Sequence, residues 1–149
     1  MIVRSDETLE TALTSIVERL GADTGTIHFL EDDGLLHLAA SVGELPAPVL
    51  ATIARIPVGK GMAGLAVERR QPVDACNIQT DSSGDVRPGA RATGLSGAVV
   101  VPIFQGDLVI GALGIANRTE RVFTDDEVQE LIGAGRRLAA RRDPVTERV

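Results

Sequence analysis

At 149 residues the chain is long enough for one hydrophobic core, which would bury roughly 70% of the unfolded chain's surface, and too short for two. Its 44% hydrophobic and 24% charged residues match ordinary globular domains and exclude disordered and fibrous classes. A net charge of −6 with 2% aromatic residues argues against a nucleic-acid ligand, which calls for a basic face and stacking rings.

In chain order, Leu9, Ala12, Leu13, Ile16, Val17 and Leu20 recur at three- and four-residue spacing and predict an amphipathic helix. Ser5 is its expected cap, Asp6 and Glu7 its acidic first turn, and Gly21 its stop. Two short apolar runs, 24–31 and 35–41, flank Asp32, Asp33 and Gly34 and read as a β-hairpin. Pairing Leu30 with Leu35 sets His28 opposite His37 on one face. Pro46 and Pro48 open a small helix over 49–55. After Pro57 the glycine-rich run 58–61 turns into a second helical stretch, 62–70, ended by Gln71 and Pro72, and 73–76 is a short strand.

Segment 77–94 carries Asp81, Ser82, Ser83, Gly84, Pro88 and Gly89 and almost nothing apolar, so it is expected to be a long loop that contributes no core. The runs 98–104 and 108–116, apolar almost throughout, form a second hairpin across Gln105, Gly106 and Asp107, in the covered middle of a sheet. Neither approaches the ~20 apolar residues of a membrane span. Thr124 and Glu127 have capping-box spacing at the start of a last helix, with Phe123 and Val128 as its staple and Val128, Leu131, Ile132 and Leu138 as its apolar stripe. Arg136, Arg137, Arg141 and Arg142 fall at its carboxyl end, where cations offset the helix dipole. The expected domain is 1–142, with 143–149 a frayed tail. No apolar signal region stands among the first ten residues, and the single Cys76 fits a reducing compartment, so the expected location is cytoplasmic.

The order helix, hairpin, short helix, Ile-Pro-Val-Gly-Lys-Gly-Met-Ala-Gly at 56–64, polar loop, Val-Val-Val-Pro-Ile at 99–103, Val-Ile-Gly-Ala-Leu at 109–113, Asn117-Arg118 and Phe123-Thr124-Asp125-Asp126-Glu127 resembles the GAF domain family over nearly the whole chain. The resemblance implies an α+β fold with a mainly antiparallel sheet of about six strands and the first and last helices on one face. It also implies short helices and the long loop closing a pocket on the other face. Fold alone does not name a ligand. Carried over by position, the pocket wall includes Thr26, Ser41, Met62, Ala63 and Gly114, with Asp85, Arg87, Arg91 and Thr93 supplied by the loop. Period-two alternation adds His28 and His37 to the same side. The arginine forks would suit a small polar or anionic metabolite.

Competing readings weigh less. Asn117, Arg118, Phe123, Asp126 and Glu127 resemble the family's cyclic-nucleotide receptors, but Arg118 stands where those carry lysine, the Phe-to-Asp spacing is shorter, and a capped helix start accounts for the same residues. Gly59, Gly61 and Gly64 spell a dinucleotide-type glycine pattern, yet Pro57 interrupts its approach, and tight turning explains the glycines better. Two histidines fall short of the three or four ligands of a metal site, so no cofactor or metal is expected. Cys76 reads as a small buried hydrophobe. The family's free methionine-(R)-sulfoxide reductases use several cysteines, and this chain has Ala63 and Arg91 near two of those positions. The expectation is therefore a non-enzymatic sensor domain that binds a small molecule and signals through loop ordering or paired terminal helices in a homodimer. The first alternative is a dimerisation or protein-interaction module with an empty pocket, in which Gly133, Ala134, Gly135, Ala139 and Ala140 allow close helix approach, and the second is a reductase-like enzyme or a Cys76 redox switch.

Overall fold

A computed structural model describes residues 8–86 and 88–142. The expected cap Ser5, the acidic pair Asp6 and Glu7, the loop residue Arg87 and the tail 143–149 lie outside these residues. Six strands form one antiparallel sheet in the order β3-β2-β1-β6-β5-β4. They are β1 (Thr24–Leu30), β2 (Leu35–Val42), β3 (Arg55–Pro57), β4 (Val73–Ala75), β5 (Gly97–Gln105) and β6 (Leu108–Asn117). The helices are α1 (Leu9–Arg19), α2 (Ala47–Ile53), α3 (Gly61–Arg69) and α4 (Asp125–Arg142), with a 3-10 helix at Pro88–Thr93.

The sheet divides its side chains unequally. On one face Ile27, Phe29, Val99, Val101, Ile103, Leu113 and Ile115 meet Leu13, Ile16 and Val17 of α1 and Leu131, Ala134 and Leu138 of α4 in the principal core. Each such aliphatic side chain removed from water contributes about 1.5–3 kcal/mol. Gly25 belongs to this face because a Cβ there would lie 2.6 Å from Val17 Cγ2. Of the small residues in α4, Ala134, Gly135 and Ala139 are buried, and the added Cβ at Gly135 would meet Ile103. Their size lets α4 approach β5, while Gly133 is half-buried and Ala140 exposed.

Thr8 rather than Ser5 caps α1: its backbone is extended and its hydroxyl accepts from the Thr11 amide at 3.0 Å. The capping box at α4 is present in both directions, with the Thr124 amide donating to Glu127 at 2.8 Å and the Glu127 amide donating to Thr124 Oγ1 at 3.1 Å. Arg121 joins the two helices. Its guanidinium donates to the carbonyls of Leu20 (2.7 Å) and Gly21 (3.2 Å) at the end of α1, to Asn117 Oδ1 (2.9 Å) and to Glu127 Oε2 (2.8 Å), and lies 4.3 Å from the Phe123 ring centre.

Four expectations need correction. The first hairpin is one residue tighter than proposed: the Glu31 amide bonds the Leu35 carbonyl and Gly34 has φ 79°, a three-residue loop with a left-handed last position. Leu30 therefore pairs with Leu36, Phe29 with His37, and His28 with Leu38. A one-residue slip exchanges faces, so the two histidines lie on opposite sides of the sheet. Second, the 77–94 segment does contribute core, since Ile78 and Val86 are buried with Leu95, Ala75, Ala98 and Ala116. Third, Cys76 is exposed, because β4 alternates Val73 in, Asp74 out and Ala75 in, and the next side chain turns outward. Fourth, Arg55–Pro57, expected to be a helix end and a connector, forms edge strand β3. Among the described residues no helix is long and apolar enough to cross a membrane.

Candidate functional site

On the face of the sheet opposite α1 and α4, the strand residues are small. Ala98 and Val100 of β5 and Gly114 and Ala116 of β6 sit where the other face carries valines, leucine and isoleucines. Layers of unequal bulk cannot fill the space beneath a covering helix, and the remainder is a cavity of about 480 Å³, a size typical of small-molecule sites. Val49, Thr52 and Ile53 of α2, Ile56 of β3, and the first turn of α3 from Gly61 to Ala63 form its walls, while Ala90, Ala92 and Thr93 of the 3-10 helix and Leu95 cover it. The glycine pattern at 59–64 serves this architecture. A Cβ on Gly64 would stand 2.4 Å from the Pro57 carbonyl oxygen, and Gly59 and Gly61 have φ of 89° and 66°, so the glycines let α3 turn back against its own entry loop.

Polar groups are few. Thr24, Thr26 and His28 alternate along β1 and face the cavity. His28 is 2% exposed and its Nε2 lies 2.8 Å from the Ile53 carbonyl oxygen, which ties β1 to the end of α2. Burial lowers the pKa of this imidazole, opposed by the smaller effect of the Ile53 hydrogen bond, and so favours the neutral ring. The Thr93 hydroxyl is committed, donating to the Ala90 carbonyl at 2.7 Å and accepting from the Leu95 amide at 3.0 Å. Lys60 is exposed among the lining residues, and no carboxylate of the described residues lines the cavity.

Of the residues assigned to the pocket from sequence, Thr26, His28, Met62, Ala63, Thr93 and Gly114 line the cavity. His37 lies elsewhere, turned to the opposite sheet face, with its Nε2 2.7 Å from Asp33 Oδ2. Ser41 pairs with Thr26 across the strands but sits in a shallow depression beside Thr8 and Ala39, beyond the reach of the covering helices. Asp85 is held by Arg69 through two contacts of 2.9 and 3.1 Å, which lower the Asp85 pKa. Arg91 donates to the carbonyls of Ile78 (3.4 Å) and Asp81 (2.9 Å), bracing the loop internally. Thr24, Thr52, Ile53, Lys60, Leu95 and Val100 were not assigned from sequence. For Thr24 a signal existed, since it stands two residues before Thr26 on the same strand face; the short helix was expected to cover the sheet, and the folded chain identifies Val49, Thr52 and Ile53 as its residues at the cavity.

The residues that resemble a nucleotide receptor do structural work outside the cavity. Asn117 Nδ2 donates to the Gly21 carbonyl at 2.9 Å, the Arg118 amide donates to Asp23 at 2.8 Å, and Phe123 and Glu127 fix the start of α4. Among the described residues no three His, Cys, Asp or Glu side chains are grouped to hold a metal ion.

The family profile of the GAF domain matches residues 4–140. A search of curated proteins found no match. Among solved structures, the chain resembles the GAF domain of a phosphoenolpyruvate-protein phosphotransferase from Coxiella burnetii, with a TM-score of 0.75 at 24% identity over 89% of this chain and 78% of that one. It also resembles a type II free methionine-R-sulfoxide reductase from Thermoplasma acidophilum, with a TM-score of 0.71 at 21% identity over 89% and 87% of the two chains. A third is the NreA protein of Staphylococcus aureus mutated in its nitrate binding site, with a TM-score of 0.70 at 20% identity over 87% and 97%. These likenesses concern the fold.

Proposed function

The chain belongs to the GAF domain family, and from that premise we propose that it is a regulatory sensor domain that binds a small molecule in the cavity between the sheet and α2, α3 and the 77–94 segment. The observation that carries this reading is the cavity itself: about 480 Å³ between the sheet and the covering elements, lined mainly by aliphatic side chains. Protein interiors leave few voids larger than a water molecule. Occupancy is transmitted through the covering segment, whose 3-10 helix lines the cavity while Asp85 is ion-paired to the end of α3. A ligand that binds the ordered segment better than the open one shifts the population toward order by that difference in affinity.

The domain itself is proposed to be non-catalytic. Ala63 stands at the position resembling one reductase cysteine and Arg91 near that of another, and Cys76 is exposed and absent from the cavity lining. Two-thiol chemistry needs a second sulfur within reach. The experiment is a thermal-shift screen of a metabolite library, followed by amide exchange with each stabilising compound. Slowed exchange in 77–94 is expected. Stabilising compounds that leave exchange there unchanged would overturn the lid mechanism, and stoichiometric reduction of methionine sulfoxide by the purified chain with a thiol reductant would overturn the non-catalytic reading.

A further inference from the structure

The chemical class of the ligand is legible in the hydrogen-bonding groups that the cavity leaves open, an inference that rests on the cavity being the ligand site proposed above. A carbonyl oxygen carries only lone pairs, so the 2.8 Å contact between His28 Nε2 and Ile53 requires Nε2 to hold the proton and donate it. In a neutral ring Nδ1 is then bare, and among the described residues nothing donates to it. His28 is 2% exposed and lines the cavity, so a molecule held there is the partner that its unused acceptor would meet. Thr24, four residues earlier on the same strand face, is 3% exposed, and its hydroxyl makes no hydrogen bond among the described residues. The hydroxyl of Thr26, between them, is equally unengaged. A polar group that lines open space without a protein partner is one that a bound molecule can complete.

The charges select among partners. Among the described residues no Asp or Glu lines the cavity, so a cation would find no counter-charge among them. Lys60 is solvated at the rim, and a carboxylate placed against His28 would set its own lone pairs against those of Nδ1. The guanidinium of Arg91 is spent on backbone carbonyls, which removes one of the two groups that suggested an anionic metabolite. We infer that the cavity takes a neutral, largely apolar molecule carrying an N–H or O–H donor, which donates to His28 Nδ1 with the Thr24 and Thr26 hydroxyls as its neighbouring polar contacts.

Three probes of nearly one shape test the class: indole, benzothiophene, which lacks the N–H, and indole-3-carboxylate, which adds a negative charge. Each is titrated into the intact chain labelled with 15N, following the His28 ring nitrogens and the amides of the cavity wall. Indole is expected to shift the Nδ1 resonance and to bind about tenfold more tightly than benzothiophene, the worth of one buried hydrogen bond. His28→Leu is expected to erase that preference, and the wild-type Nδ1 shift decides the matter should this variant fail to fold. Equal affinity for indole and benzothiophene, or tightest binding of the carboxylate, overturns the ligand class while leaving the cavity as a binding site. If none of the three moves any cavity resonance, the ligand class and the site reading fall together.

Discussion

Replacing Arg121 with alanine should destabilise the protein by about 2–3 kcal/mol, because one side chain closes two helix ends at once. Its guanidinium makes four hydrogen bonds, to Leu20, Gly21, Asn117 and Glu127, and stacks on Phe123. At about 0.5–1.5 kcal/mol for each bond, the sum would reach about 4 kcal/mol, to which a cation–π contact adds about 0.5–1 kcal/mol. Two effects reduce it. The side chain is 20% exposed, so water replaces part of what is lost, and the Gly21 carbonyl keeps its bond from Asn117 Nδ2. For a chain of this size about 2–3 kcal/mol lowers the melting temperature by roughly 5–10 °C, measurable by circular dichroism or calorimetry. Arg121→Lys should recover only part of the loss, since an ammonium cannot span both carbonyls and Glu127 together. A double-mutant cycle with Glu127→Ala isolates the ion pair from the capping bonds. A melting temperature for Arg121→Ala within 1–2 °C of wild type would refute the view that this arginine couples α1 to α4.

Other consequences follow from single residues. Glu127 has its pKa lowered first by the Thr124 amide and then by Arg121, so its contribution is present in full above the unfolded carboxylate value and is lost as pH falls through the lower folded value; denaturant titrations at pH 3–6 should show this loss, and Glu127→Gln should flatten it. His28 has a lowered folded pKa, so the unfolded chain binds the proton more readily, and stability present above about pH 6.5 should decline as pH falls toward the folded value. His28→Gln, which keeps a donor for the Ile53 carbonyl, should remove that decline. Asp85→Asn, which breaks an exposed ion pair, should cost less than about 1 kcal/mol yet speed amide exchange in 77–86, and unchanged exchange would show that Arg69 does not anchor the segment. Gly111→Ala would place a Cβ 2.2 Å from the His28 carbonyl oxygen and force β1 from β6, at a cost of about 3 kcal/mol. Gly133→Ala, with nothing nearer than Arg137 Nη1 at 3.6 Å, should be neutral or stabilising in the same thermal assay.

Where local chemistry decided the structure, the sequence was sufficient. The α4 capping box, the Gly21 stop, both hairpins and the buried β5-β6 pair follow from spacing and turn residues that act over a few positions. Register was harder, because the choice between a three- and a four-residue loop after Leu30 rests on Gly34 adopting a left-handed conformation, and that single choice moved His37 to the other face. The extra residue that shifts the β1-β2 pairing beyond His28 leaves no mark in the hydrophobic pattern either. Strand β3 was missed because one buried residue, Ile56, between an arginine and a proline carries no periodicity. In the loop, Ile78 and Val86 stand alone among polar residues, and only tertiary contact with Leu95 and Ala98 makes them core.

The candidate site was legible to a similar depth. The strand face holding Thr26, His28 and Gly114 and the turn holding Met62 and Ala63 were reached through the family resemblance. The apolar character of the enclosure was not, since it depends on α2 folding over small residues of β5 and β6 that read only as generic strand. Arginines in a polar loop suggested an anion in the sequence, whereas in the folded chain Arg91 donates to the backbone carbonyls of Ile78 and Asp81 in the same segment.

The central claim, that the cavity is built to hold a small molecule, is tested most directly by native and denaturing mass spectrometry of freshly purified protein, run on the wild type beside Ala92→Trp. Ala92 is exposed on the 3-10 helix and lines the cavity, so an indole side chain there can occupy the space without disturbing the sheet. The account predicts a wild-type species carrying a defined non-covalent mass that disappears on denaturation and is absent from Ala92→Trp. A wild-type mass identical under both conditions, or an extra mass that Ala92→Trp retains, would contradict it.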